Sequence, residues 1–284
     1  MIPIHKKGSR RKSEGPGAPQ VYIHGKVQGW AIWALAFRRF RTQFFSQYAG
    51  SALGVMWQII QPLSMIGIYI LVFGYIIQIR PNIEEVPYGV YLCSGLIPWL
   101  AFQDSVVKVS TAFTANAQFL KRMHVAEEIF LIERLLHVAV TLAISFSGVI
   151  AFSLMNGVSP CSTWLVLPVV FILLLLCGGG LGWSCSLLVP YFSDLSQVVQ
   201  IALRPMFWMT PVIYPLTQVE NPVLLRLVQI QPITPFVLGV RGILFDSQIP
   251  SAELWVQMLG WSAFCFCIGL FTSRIVGSRF RDVL

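Results

Sequence analysis

One arginine, Arg204, lies inside an apolar stretch of the sequence, RPMFWMTPVIYP, which also contains three prolines. A guanidinium held at membrane depth is costly, and one that is retained there typically binds an anion or pairs with a carboxylate. Proline lacks a backbone N–H and interrupts a helix, which leaves carbonyl oxygens for protein or water to satisfy. The stretch therefore predicts a broken membrane helix with one cation available for binding.

The remaining residues form no recognisable catalytic or metal-binding motif. The four histidines make no HxxxH pair, and neither a GxSxG elbow nor a GxxxxGK[ST] loop occurs. The six cysteines show no CxxC or Cys/His spacing and are expected to be small buried hydrophobic residues. We therefore expect no catalytic residue, no metal and no cofactor in this chain, and any ATP with its Mg²⁺ would be bound by a separate protein.

The composition is that of an integral membrane protein. Of 284 residues, 56% are hydrophobic and only 11% are charged, whereas about a quarter of a soluble domain is charged. The net charge of +8 does not indicate nucleic-acid binding, because the basic residues cluster at one end of each apolar run. We predict an all-α fold with six transmembrane helices near residues 52–79, 88–107, 135–155, 164–189, 197–216 and 254–273.

The basic residues also predict the orientation of the chain. Sixteen of the 20 lysines and arginines fall on one face of this topology, so both termini are expected to be cytoplasmic. Residues 1–26 are basic, rich in Gly, Pro and Ser, and lack the apolar core of a secretory signal. We expect a disordered cytoplasmic tail there and a second cytoplasmic tail at 274–284.

Three segments outside the spans have helical patterns. Residues 27–50 repeat aromatic residues every three or four positions, which predicts an amphipathic helix at the cytoplasmic interface, acting as a lipid anchor or also contacting a partner. Between Thr217 and Pro250, two short apolar stretches each begin with a capping residue before proline, at Asn221 and Thr234, and predict two re-entrant or gate helices before the last span.

The third segment, NAQFLKRMHVAEEIFLIERLL, joins the second and third spans. Its charges fit a solvated helical turn or a short helix that docks into another protein. Nearby, the i, i+4 spacing of Asp104 and Lys108 predicts a local ion pair. In the fourth span, Gly178 and Gly182 predict close contact with another helix.

Six pieces of the sequence, in this order, resemble the membrane subunits of ABC-2 type exporters of O-antigen, teichoic acid and similar lipid-linked polysaccharides. They are RRFRTQFFSQYAGS with LGVMWQIIQPL, SGLIPWLAF, NAQFLKRM, YFSDLSQ, FWMTPVIYP and PFVLGVRGILF. The resemblance covers residues 38–281. It departs from the family pattern at Met123 and His124, where a Phe-Pro pair is common, and at Ser193, where a basic residue is common.

The resemblance implies a homodimer of permease chains, two copies of a separate ABC ATPase, a lipid-linked polysaccharide substrate and a location in the cytoplasmic (inner) membrane. It implies ATPase-coupling roles within 30–48 and 116–134 for Arg38, Arg39, Arg41, Lys121, Arg122, His124, Glu127 and Glu128. It implies an extracellular gate, with gate residues Pro211, Pro215, Pro222, Pro235 and Arg241. It also implies a substrate pathway, for which the candidates are Trp57, Trp99, Phe102, Trp183, Arg204, Phe207, Trp208 and Tyr214. Each aromatic residue of this set also fits a place in the membrane-interface belt or in helix packing.

Two alternatives to this function stay open in the sequence. One is an ABC-2 permease for a small lipid or drug, and the other is a membrane-embedded transferase acting on lipid-linked sugars. Arg204 is expected to face the chain interior or the pathway, where it would attract an anionic substrate. The alternative is that it snorkels to the membrane surface or pairs with a neighbouring carboxylate such as Asp104 or Glu133.

Overall fold

A computed structural model of the chain describes residues 29–47, 50–69, 71–72, 76, 88–122 and 126–277. Within these ranges the chain is helical and contains no β-strand. The helices are α1 (Gly29–Ser46), α2 (Trp57–Tyr69), α3 (Tyr88–Ser110), α4 (Ala117–Arg122), α5 (Glu128–Met155), α6 (Leu167–Leu188), α7 (Leu195–Met209), α8 (Pro222–Ile230), α9 (Thr234–Leu244) and α10 (Ala252–Val276).

Four of the six predicted spans are confirmed as helices long and apolar enough to cross a membrane. They are α3, α5, α6 with the 3₁₀ turn Ser162–Val166 before it, and α10. The α8–α9 pair, bent by 86°, would be a fifth if both helices form one span. The all-α fold is therefore confirmed, and the chain is a multi-pass membrane protein.

The count of six spans is not confirmed. Only residues 57–69 of the first predicted span are in α2, and residues 70, 73–75 and 77–79 lie outside the described ranges. The fifth predicted span is a helix of 15 residues that ends at Met209, well before residue 216. Its early end has a local cause: Thr210 precedes Pro211 and is extended (φ −73°, ψ 137°), as residues before proline prefer.

Several predicted boundaries also need correction. The third span begins at Glu128, seven residues early, so residues 128–134 belong to α5 and not to a separate loop helix. Of the tail predicted at 274–284, residues 274–276 complete α10, whereas the tail predicted at 1–26 lies outside the described ranges. Asn221 caps α8 as predicted, accepting hydrogen bonds from Val223 and Leu224, but Thr234 is the first residue of α9 and does not cap it.

Glycines in α6 bring three helices together. A Cβ added at Gly178 would lie 2.7 Å from Cβ of Ser105, and one at Gly182 would lie 2.7 Å from Cβ of Val109, both on α3. A Cβ at Gly180 would lie 2.6 Å from the α10 backbone at Cys265. The predicted close contact is confirmed with α3, and α6 is the central element against which α3 and α10 pack.

The bundle has two distinct ends. At the end called here the basic end, α1 and α4 lie beside the C-termini of α3 and α6 and the N-termini of α5 and α7. At the opposite end, called here the outer end, α8 and α9 lie beside the N-termini of α3 and α6 and the end of α7. These two ends hold the residues that bear on function.

The helix α1 packs on α5 at the basic end. It buries Ala36, Phe40 and Phe44, and the rings of Phe40 and Phe44 contact His137 of α5 edge-on. Trp33 and Phe37, on an adjoining face, are exposed. The predicted helix over 27–50 is observed over 29–46, and its position at the membrane surface stays a prediction.

Candidate functional site

The exposed face of α7 carries a stripe of polar and aromatic side chains. Gln197, Gln200, Arg204 and Trp208 recur at helical spacing, and all are exposed, Trp208 to 61%. A second face of α7 packs into the bundle through Leu203, which is buried. We call these four residues the α7 stripe. Amide groups, one cation and an indole ring along a helix of the membrane region give a surface that can bind hydroxyls, an anion and a sugar face.

Neither carboxylate considered for Arg204 is available to it. Asp104 forms its predicted ion pair with Lys108 (Oδ2–Nζ 2.7 Å), and Glu133 pairs with Arg39 (Oε2–Nε 2.7 Å). In the described part of the chain, Arg204 forms no ion pair and is exposed. The expectations of pairing and of facing the chain interior are therefore wrong, and the expectations that it faces a pathway or snorkels to the membrane surface stay predictions.

Beyond Met209 the chain leaves the helix and crosses the outer end as a buried, non-helical segment, Thr210 to Ile213. We call these four residues the α7 break. Thr210 donates through Oγ1 to Met206 O (2.7 Å) and Gln231 Oε1 (2.9 Å), and the Tyr88 hydroxyl donates to Ile213 O (3.2 Å). Pro211 is buried and Pro215 is partly exposed. As predicted, prolines accompany the end of the helix, and protein groups satisfy the freed carbonyls.

Arg241 of α9 donates hydrogen bonds to two of these freed carbonyls. Its Nη1 donates to Pro211 O (2.6 Å), and its Nη2 donates to Val212 O (2.7 Å) and, at 3.5 Å, to Tyr91 O. The guanidinium also lies 3.6 Å from the centre of the Tyr91 ring. Arg241 was predicted as a gate residue, and the structure places it inside the outer end, 7% exposed. No carboxylate of the described residues pairs with it.

Gly95 makes room for this arginine. A Cβ at Gly95 of α3 would lie 2.8 Å from Arg241 Nη2 and 3.3 Å from Val212 Cα. A contact of 2.8 Å is essentially never seen for a real Cβ atom, and 3.3 Å is tight, so any larger residue would displace the guanidinium or the α7 break. Gly95 lies within SGLIPWLAF, and no local pattern indicates its contact, which depends on a residue 146 positions away.

At the basic end, Arg39 joins α1 to the rest of the bundle. Besides its ion pair with Glu133, its Nη2 donates to Asn116 Oδ1 (3.0 Å), and its guanidinium carbon lies 4.6 Å from the Phe130 ring centre. Glu133 is 3% exposed. The predicted coupling residue Arg39 is therefore turned into the chain. Sequence reasoning missed this pairing, although Glu133 is preceded by four apolar residues, IFLI, which is a signal of a buried carboxylate.

The other predicted coupling residues differ in accessibility. Arg38, Arg41, Lys121, Arg122 and Glu128 are exposed, and Glu127 is half-buried at the start of α5. His124 lies outside the described residues. Beside α4 a cavity of ≈ 390 Å³ opens at the basic end, and its lining residues are Thr111, Thr114, Ala117, Val189, Pro190, Ser193 and Ser196. The predicted contact segment 116–134 is thus two elements, α4 and the first turns of α5, with a hydroxyl-lined cavity next to α4.

The aromatic residues predicted for the pathway fall into two groups. Trp99 and Phe102 are 1% and 0% exposed and belong to the core, which fits the packing alternative, and a pathway role for them stays a prediction. Their position in α3, enclosed by neighbouring helices, is the physical reason for this burial. Trp57 and Trp208 are exposed, and Trp183, Phe207 and Tyr214 are partly exposed. Phe207 contacts the Trp99 ring (centres 5.5 Å apart) and therefore links the two groups.

The apolar helices, the α7 break and the bent α8–α9 pair define a polytopic membrane protein with irregular backbone buried at one end. The chain belongs to the ABC-2 type transporter membrane family, whose model, described as ABC-2 type transporter, matches residues 31–245. This match includes the α7 stripe, the α7 break and Arg241.

Curated relatives belong to the same kind of protein. An O-antigen export system permease protein RfbA of Klebsiella pneumoniae is 25% identical over 241 residues, covering 84% of this chain and 90% of that protein. One of Myxococcus xanthus is 23% identical, covering 73% and 79%. The polysialic acid transport protein KpsM of Escherichia coli is 26% identical, covering 69% and 74%.

Proposed function

We propose that this chain is the permease subunit of an ATP-driven exporter that moves a lipid-linked polysaccharide, such as O-antigen or teichoic acid, across the cytoplasmic (inner) membrane. The carrying observation is its membership of the ABC-2 family together with its similarity, over most of its length, to permeases named for O-antigen and polysialic acid export. The expected orientation, with both termini in the cytoplasm, makes the basic end the cytoplasmic end.

The energy for export comes, in this proposal, from two copies of a separate ABC ATPase that bind ATP and Mg²⁺ themselves. They dock at the basic end, where Arg38, Arg41, Lys121 and Arg122 are exposed beside the hydroxyl-lined cavity. The Arg39–Glu133 ion pair supports this role, because it ties α1 to α5 beside the α4 segment. Movement of α1 caused by the ATPase is then transmitted to α5, a long helix that leads into the membrane.

The substrate passes, in this proposal, between two copies of the chain along their α7 stripes. Arg204 has no carboxylate partner among the described residues, so it is free to attract an anionic group of the lipid carrier, and Trp208 can pack on sugar rings one turn further out. Trp57, Phe207 and Tyr214 are the other accessible aromatics that we place beside this route.

A strain lacking the chain tests this function. Wild-type protein should restore surface polysaccharide and co-purify with the ABC ATPase encoded beside it, and failure of either result would refute the proposal. Arg204→Gln should reduce surface polysaccharide several-fold with unchanged protein level. Its matched control is Arg226→Gln on α8, an exposed arginine away from the stripe, which should export normally. Full export by Arg204→Gln would remove the substrate role of Arg204.

A further inference from the structure

The partners of Arg241 are unusual for a buried cation. Its hydrogen bonds go to three backbone carbonyls, two in the α7 break and one in α3, and to no carboxylate of the described residues. A carboxylate could move with its own side chain, but a backbone carbonyl moves only with its helix or segment. The guanidinium, with its rigid fork of donors, therefore fixes the main chain of the α7 break directly.

The α7 break in turn fixes two side chains of the predicted pathway. Tyr214, the residue after the break, folds back so that its hydroxyl donates to Met209 O (2.8 Å), the carbonyl at the end of α7. Trp208 precedes that carbonyl by one residue and completes the α7 stripe. Movement of Pro211 or Val212 would release Tyr214 and with it the last turn of α7.

We propose that Arg241 is a positioning residue: it holds the α7 break against α3 and α9 and thereby sets the outer end of the α7 stripe, where Tyr214 and Trp208 lie. The consequence for export rests on the proposed function, but the positioning itself does not. Arg241 touches no substrate in this scheme, because it is enclosed between α3, α9 and the α7 break.

A cysteine at position 212 tests the positioning without any need for transport. Val212 is fully buried, so Val212→Cys in a Cys161→Ser background should react very slowly with a membrane-impermeant maleimide added to intact cells. Adding Arg241→Gln should raise that rate about tenfold or more, the factor expected when a buried hydrogen bond to a charged group is lost. Arg241→Lys should restore part of the protection, since an ammonium can donate to one of the two carbonyls.

Two matched controls separate positioning from general damage. Arg226→Gln removes an exposed arginine from α8 and should leave position 212 unreactive. Gly95→Ala should expose position 212 as Arg241→Gln does, because its methyl group would meet Nη2 at 2.8 Å, whereas Gly260→Ala, with nothing within 4 Å, should not.

The outcomes decide between the proposals. Increased labelling in Arg241→Gln and Gly95→Ala, with protein levels and ATPase association unchanged and surface polysaccharide reduced, supports the positioning role. An unreactive position 212 in both Arg241→Gln and Gly95→Ala overturns it. Labelling of the controls Arg226→Gln and Gly260→Ala at the same rate as these two variants overturns it as well. If wild-type protein exports no polysaccharide while Arg241→Gln still exposes position 212, the proposed function fails and the positioning stands.

Discussion

Each end of the bundle contains an arginine that is turned into the chain, Arg39 at the basic end and Arg241 at the outer end. The two arginines differ in the groups to which they donate hydrogen bonds. At the basic end, Arg39 pairs with the carboxylate of Glu133 and the side chain of Asn116. At the outer end, Arg241 binds backbone carbonyls of the α7 break and of α3. The first arginine connects side chains of separate helices, and the second replaces the hydrogen bonds that a broken helix has lost.

The two ends should therefore respond differently to substitution. An ion pair can be removed as a pair, because taking away both charges leaves no unpaired charge, and at the basic end only Asn116 Oδ1, among the described residues, would lose a donor. Backbone carbonyls cannot be removed by any substitution, so the loss of Arg241 has no complementary change. The basic end should therefore tolerate a double replacement, and the outer end should not.

The largest effect is expected at Arg241. Arg241→Met removes the donors to Pro211 O and Val212 O, and each buried acceptor left unsatisfied costs about 1–3 kcal/mol, so a loss of roughly 3 kcal/mol in stability is expected. Thermal unfolding in detergent measures it. A change below about 0.5 kcal/mol, the range of ordinary surface substitutions, would contradict the role of the carbonyl contacts.

A smaller effect is expected at Glu133. Glu133→Leu strands the guanidinium of Arg39, and because that side chain is 30% exposed, the cost should be about 2 kcal/mol, below the range for fully buried pairs. The double variant Arg39→Met with Glu133→Leu should regain most of the loss, while Arg38→Met with Glu133→Leu, a change at an exposed neighbour, should not. A double variant as unstable as Glu133→Leu alone would contradict the expectation that the basic end tolerates replacement of both residues.

Labelling of Cys161 should show whether the outer end faces outward, and the pH dependence of the rate should show the pKa of its thiol. Cys161 lies just before the 3₁₀ turn that leads into α6, at the outer end. Hydrogen bonds from the backbone and side chain of Thr163, and from the side chain of Ser247, lower the pKa of its thiol to about 7. Because the thiolate is the reactive form, labelling of intact cells by an impermeant maleimide should rise from pH 6 to 8 and then level off. A rate that keeps rising to pH 9 would contradict the lowered pKa, and no labelling of intact cells would contradict the outward placement of this end.

The smallest effect is expected for the Asp104–Lys108 pair. Both side chains are partly exposed, and such i, i+4 pairs contribute about 0.3–0.5 kcal/mol. Asp104→Asn should therefore shift unfolding by less than Glu133→Leu, measured in the same detergent. A loss as large as that of Glu133→Leu would mean that exposure does not distinguish the ion pairs of this chain.

The sequence predicts local features of this fold well. Apolar runs locate α3, α5, α6 and α10, the spacing of Gly178 and Gly182 predicts a close helix contact, and Asn221 before Pro222 marks the start of α8. The helix end before Pro211 also follows from the residues themselves. Each of these depends on neighbours within a few positions along the chain.

The contacts that organise the two ends are not local. Arg39 and Glu133 are 94 positions apart, and their complementary charges could only be matched once α1 and α5 are known to pack together. Arg241 is harder still, because its partners are main-chain atoms that any residue at 211 or 212 would offer. The burial of a side chain also depends on distant helices. Trp99, a candidate for the pathway, is enclosed, whereas Arg204, expected in the chain interior or at the pathway, is exposed.

The most direct test is transport by the purified complex. We would reconstitute the chain with the ABC ATPase proposed as its partner in liposomes that contain the lipid-linked polysaccharide of the source organism, and measure the polysaccharide transferred across the bilayer. We expect transfer that requires both proteins and ATP, and a several-fold slower rate with Arg204→Gln. Transfer without ATP, or no stable complex between the two proteins, would contradict the assignment of this chain as an ATP-driven polysaccharide permease.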